Sequence, residues 1–109
     1  MRLNLHMIFT TANEIPGRNY EIIGLAMGNT IQTRNIGRDI TQGLRSVVGK
    51  ELVAYNEMLT KAREIAVERM GQDAMAKGAD AVIAMRITTS MVMAGAAEIL
   101  AYGTAVRFV

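Results

Sequence analysis

The chain has 109 residues, a net charge of +2, 50% hydrophobic and 20% charged residues, and no cysteine. That length holds one domain, residues 1–109, and the missing thiols exclude disulfides, thiolate metal centres and cysteine nucleophiles. Twelve basic against ten acidic residues, with five scattered aromatics, give no concentrated basic face for bases to stack on, so nucleic-acid binding is not expected.

The uncharged runs Ile22–Thr33 and Ile87–Ala97 are too short to suggest a membrane span, which needs about 18 apolar residues. The first residues, MRLNLHMIFTTANE, are too short and polar for a signal peptide. The expected setting is soluble and cytoplasmic. So apolar a composition in so small a chain also implies that apolar surface meets other subunits.

In chain order, Met7 to Thr11 reads as a short strand. NEIPG then makes a turn, with Pro16 setting φ at the first corner and Gly17 accepting the positive φ of a type II turn. From Tyr20 to Thr33 the chain alternates. Ile23, Leu25 and Met27 form a bulky face, and Gly24, Ala26 and Gly28 a nearly bare one. Glycines weaken a strand, so these two mark a bend or a close approach by another element.

Asp39-Ile-Thr-Gln42 has capping-box spacing and predicts a short helix from Ile40 to Val48, with Gly49 as its αL cap. A long helix follows from Glu51 to Lys77. Its stripe is Leu52, Tyr55, Leu59, Ala62 and Ala66, widened by Met58, Ile65 and Met70, and Gly78 stops it. The run ADAVIAMRITTSMVM alternates Ile83, Met85 and Ile87 against Val82, Ala84, Arg86 and Thr88. Ala94 to Ala97 turns the chain into a last strand, Glu98 to Val109. Leu100, Tyr102, Val106 and Phe108 are its bulky face, and Ile99, Ala101, Gly103 and Ala105 its small one. Small faces on two strands and alanines on the helix predict close packing of helix on sheet. The fold class is α+β, ββααββ, an antiparallel sheet with one short and one long helix.

NIGRD, LRSVVG, KAREIAVERM, KGADAV and GTAV, in this order and spacing, resemble the YbjQ-like family of small bacterial proteins that carry a heavy-metal-binding label. The resemblance runs from TTANEIPG to GTAVRFV. It implies an α+β subunit of a homopentameric ring and brings no activity with it. Two departures bear on the metal label. AMRITTS puts Arg86 and Thr88 where relatives often have aspartates, and VGKELVAYNE lacks the relatives' double glycine and their acid after the tyrosine.

A heavy-metal site wants thiolate or imidazole ligands. The chain offers one histidine, His6, and the thioethers of Met91 and Met93, whose spacing on one strand face suits Cu(I). The plainer readings are a surface histidine and gap-filling methionines. No metal ligand set and no cofactor are assigned. The stretch TRNIGRDITQGLRSVVGK places Arg34, Asn35, Arg38 and Asp39 at the entry to the short helix. Free N–H groups and two guanidinium forks would seat a small anion there. The competing reading has Asp39 capping the helix while Arg34, Arg38 and Arg45 pair with acids of the same or a neighbouring subunit. Ser46, Ser90 and the threonines lack a histidine partner. Tyr55 and Glu57 near Arg45 would do acid–base work only if buried in a cleft between subunits. The expected role is assembly and small-ligand binding at subunit interfaces, with metal binding and intersubunit catalysis as alternatives.

Overall fold

The computed structural model describes residues 7–33 and 48–109. Its elements are β1 (Ile8–Phe9), β2 (Tyr20–Thr33), α1 (Val48–Ala76), β3 (Ala81–Met93) and β4 (Ala96–Phe108). The four strands form one sheet in the order β1-β3-β4-β2. The short helix expected over Ile40–Val48 lies outside the described residues, apart from Val48, which begins α1. Gly49 is a residue of α1 and not a helix cap, because the long helix starts earlier than its apolar stripe suggested.

The sheet is mixed and not antiparallel throughout. β2 and β3 both run antiparallel to β4, but β1 runs parallel to β3. The reason is the length of the link after β1. A tight hairpin uses two to five residues, whereas the residues between Phe9 and Tyr20 carry the chain from one sheet edge to the other. The link turns at Pro16-Gly17, with Gly17 at φ 79° as the sequence requires. It also packs Ile15 against Ala81, Ile83 and Val106, covering that end of the sheet's outer face.

The alternation read from the sequence breaks at three places, the last between Met91 and Met93 near the end of β3. β2 carries a bulge between Ile22 and Gly24, with Gly24 at φ 150°. β3 carries another between Ile83 and Arg86, with Ala84 at φ 53°. Each inserts one residue, and one inserted residue exchanges the faces of everything beyond it. Val82 and Ile87 therefore share the helix-facing side, while Ile83 and Arg86 share the outer one, unlike the uninterrupted alternation read from the sequence. Gly103 of β4 lies opposite the β3 bulge, where a Cβ would stand 2.5 Å from Val82 Cγ1 and 2.9 Å from the Ile83 carbonyl.

α1 lies on the small face of the sheet. Ala62, Ala66, Met70 and Ala74, four residues apart, are buried against Ala26, Ile99, Ala101 and Ala105. The approach is so close that a Cβ on Gly28 would collide with backbone atoms of Ala66, Arg69 and Met70. Of the two glycines in β2, Gly24 makes the bend and Gly28 permits the close approach. The helix ends in a Schellman motif. Gly78, at φ 85°, donates to the Met75 carbonyl at 3.0 Å, and Ala79 donates to Ala74 at 3.0 Å.

Candidate functional site

Because α1 takes the small face, the bulky face of β2 is left bare. Ile22, Leu25, Met27 and Ile31 are 69%, 52%, 44% and 56% exposed. By register, Leu25, Met27 and Ile31 stand beside Thr104, Tyr102 and Glu98 of β4 on the same outer surface. Beyond those, Arg86, Thr88 and Ser90 of β3 continue it. Link residues cover only the end near Ile83 and Val106. The surface is apolar at its centre, with Asn29 and Glu98 joined across it at 3.0 Å.

The edge of β2 is closed by the chain itself. Lys77 Nζ donates to the Leu25 carbonyl at 2.8 Å, the Met27 amide donates to Asp73 Oδ2 at 3.0 Å, and Arg69 Nη1 donates to the Asn29 carbonyl at 2.9 Å. Arg69, Asp73 and Lys77 are four residues apart, so they rise on one side of α1 in step with alternate residues of the strand. A cation meets each carbonyl and an anion meets the amide. These groups would otherwise be an open pairing edge. This row was missed in the sequence reading, and its signal is the charge order plus, minus, plus at four-residue steps.

The opposite edge differs. β1 pairs with β3 only at its start, and the Ala84 and Met85 amides donate to Ala12 and Thr10. Arg86 then donates from Nη1 to the Thr11 and Met85 carbonyls, fastening the bulge to the link. From Arg86 to Met93 every residue of β3 is exposed, on both faces of the strand.

Arg34, Asn35, Arg38 and Asp39 lie outside the described residues, as do His6, Arg45 and Ser46. Tyr55 is half-buried and Glu57 exposed. Two residues apart on a helix, they do not face one another. Between β1 and α1 a shallow apolar pocket of about 380 Å³ is lined by Phe9, Arg63, Glu64, Val67 and Glu68, and neither Tyr55 nor Glu57 reaches it. Among the described residues no three histidine, aspartate or glutamate side chains converge as a metal site would need. Nor do the thioethers cooperate. A further bulge between Met91 and Met93 sets them opposite Ala97 and Ala96, neighbours on β4 whose side chains take opposite faces. At the position where a family carboxylate was expected, the Arg86 guanidinium is committed to two backbone carbonyls. The described donors do not fit a heavy-metal centre.

Residues 7–109 match a family model described as "Putative heavy-metal-binding". The chain is 50% identical over 104 residues to a UPF0145 protein of Vibrio parahaemolyticus, with 94% of this chain and 99% of that protein covered. It is 57% identical over 102 residues to a UPF0145 protein of Methanosarcina acetivorans, with 93% and 96% covered. Archaeal relatives of this kind extend the family beyond bacteria. Among solved structures it resembles a protein of unknown function from Pediococcus pentosaceus assigned to the DUF74 family. The TM-score is 0.63 at 15% identity, over 94% of this chain and 98% of that one, a likeness of fold. No described helix is long and apolar enough to cross a membrane.

Proposed function

The chain belongs to the YbjQ family, and from that premise we propose that it works as the subunit of a homo-oligomeric ring, a pentamer, that assembles and binds a small anion rather than catalysing a reaction. The observation that carries this reading is the bare outer face of β2. Ile22, Leu25, Met27 and Ile31 are each at least 44% exposed on a strand whose inner face is packed. Apolar side chains concentrated on one surface mark a contact between proteins. An interface of this kind repeats around a ring when it is formed head to tail.

The anion site is assigned to Arg34, Asn35, Arg38 and Asp39. Support comes from their charge and from where the flanking residues sit. Thr33 ends β2 opposite Ala96, at the hairpin end of the sheet, beside the exposed side chains of Ile31 and Met93. Thr33, the last described residue before them, is thus at the margin of the assembling face.

Native mass spectrometry tests both parts. Five chains of 11.9 kDa give a species near 60 kDa. Leu25→Glu with Met27→Glu should reduce it to smaller species, and a variant that keeps the full mass would remove the outer face from the interface. Phosphate added to the ring should appear as adduct mass that Arg38→Ala abolishes. If Arg38→Ala changes neither adduct nor assembly, the anion site is refuted while the ring stands.

A further inference from the structure

We infer that the open edge of β3, from Ile87 to Met91, pairs antiparallel with the same edge of a second copy across a two-fold axis near Thr89. The contact is separate from the outer-face contact of the ring. It starts from the unequal treatment of the sheet's two edges. On the β2 side, the Leu25 carbonyl, the Met27 amide and the Asn29 carbonyl are taken by Lys77, Asp73 and Arg69. On the β3 side, pairing by β1 and the link ends with Met85, and Arg86–Met93 have no strand beside them among the described residues. Strand edges left open are commonly defended by lysine, proline or an inward charge. The stretch ITTSMVM has none of these and is rich in residues that favour strands.

The occupant follows by elimination and by charge. A second copy cannot add its β2 edge over Leu25–Asn29, because its own helix already fills those groups. Among the described residues the longest unpaired edge is that of β3, from Arg86 to Met93, and β3 on β3 makes the contact two-fold and self-complementary. The sequence suits this register. With Thr89 opposite the second copy's Thr89, Ile87 meets Met91 on the helix-facing row and Thr88 meets Ser90 on the outer row. Apolar thus pairs with apolar and hydroxyl with hydroxyl. An isologous contact tends to set like charges face to face. Here the nearest charge is Arg86, and the two copies of it stand about 20 Å apart, six residues along the pair. That exceeds the screening length of about 8 Å at physiological salt.

The chain has no cysteine, so Thr89→Cys introduces a single thiol, and opposed strand residues lie within disulfide reach. Oxidation of this variant should give a covalent dimer in high yield that does not fall on dilution of a preformed sample. Every subunit of the ring carries this edge, so two rings join through it into a species of ten chains, about 120 kDa, and Thr89→Lys, at an exposed position, should keep the circular-dichroism spectrum and leave the single ring near 60 kDa. A Thr89→Lys species of unchanged mass, or a Thr89→Cys sample that stays uncrosslinked, would overturn the pairing. So would a wild-type monomer. Should Thr89→Lys misfold, the disulfide experiment decides alone. An odd-numbered ring, broken by Leu25→Glu with Met27→Glu but indifferent to Thr89→Lys, would keep the outer-face reading and refute this one. A dimer with the opposite sensitivities would do the reverse.

Discussion

Gly24 and Gly28 sit four residues apart in one strand and are constrained by different physics. Nothing lies within 4 Å of a Cβ built on Gly24, but its φ of 150° belongs to a region that other residues rarely adopt. Gly28 has ordinary backbone freedom and no room, since α1 backbone occupies the place of its side chain. Gly24→Ala should therefore cost about 1–3 kcal/mol in backbone strain. Gly28→Ala should cost about 3 kcal/mol or more, because helix and strand must separate along their contact. Urea unfolding of both variants under one set of conditions checks the order. The reverse ranking would mean that α1 does not rest on β2 as closely as described. Both glycines were legible in the sequence as a bend or a close approach. Which was which depended on where the helix backbone passes.

At the scale of the element, α1 does two jobs with different residues. Its alanine stripe packs the sheet, and the row Arg69, Asp73, Lys77 occupies the edge of β2. Asp73 is the centre of that row, accepting from the Met27 amide at 3.0 Å and from Lys77 Nζ at 3.2 Å. The Lys77–Asp73 pair is partly solvent-exposed, at 44% and 32%, so its charge attraction by itself contributes little. The cost of Asp73→Ala is set by the lost amide bond, about 1 kcal/mol. Its clearer signature is local: amide hydrogen exchange at Met27 should quicken while exchange in β4 stays slow. Equal acceleration throughout the sheet would show that Asp73 supports the whole fold and not the edge. The end of the long helix at Gly78 and the close helix–sheet contact were readable from spacing, whereas its start at Val48 was not. The bulges were not, because an inserted residue looks like any other member of an alternating run until its partner strand is known.

For the whole molecule, the defining fact is that Ile22, Leu25, Met27 and Ile31 of β2 face away from its own helix, Ile23 alone of its large apolar residues packing on the helix side. A chain whose core is largely alanine around Met70, Ile99, Val82 and Val106, and whose β2 leaves isoleucine, leucine and methionine outside, should be completed by association. Folding and assembly should therefore be linked. The Tm should rise with protein concentration, as it does whenever the native state is the one that binds. Leu25→Glu with Met27→Glu should weaken the concentration dependence and leave the helical spectrum, since both side chains lie on the outer face and α1 bonds only the backbone of these residues. A wild-type Tm that does not move over a hundredfold range of concentration would argue for a self-sufficient monomer.

By itself the sequence determined the α+β class, the positions of the long helix and the long strands, the turns at Pro16-Gly17 and Gly78, and the family. These depend on local periodicity, on glycine and proline, and on residue order, all of which are written along the chain. It also marked small faces and bulky faces, but it could not say which of them would be covered. That was decided in three dimensions: a helix can approach a sheet most closely where side chains are smallest, so α1 took the alanine and glycine face and left the bulky one bare. The parallel placement of β1, the parity changes at the three bulges and the contrast, among the described residues, between the two sheet edges have the same origin. Each depends on which strand lies beside which, a relation between residues far apart in the chain that no local pattern encodes.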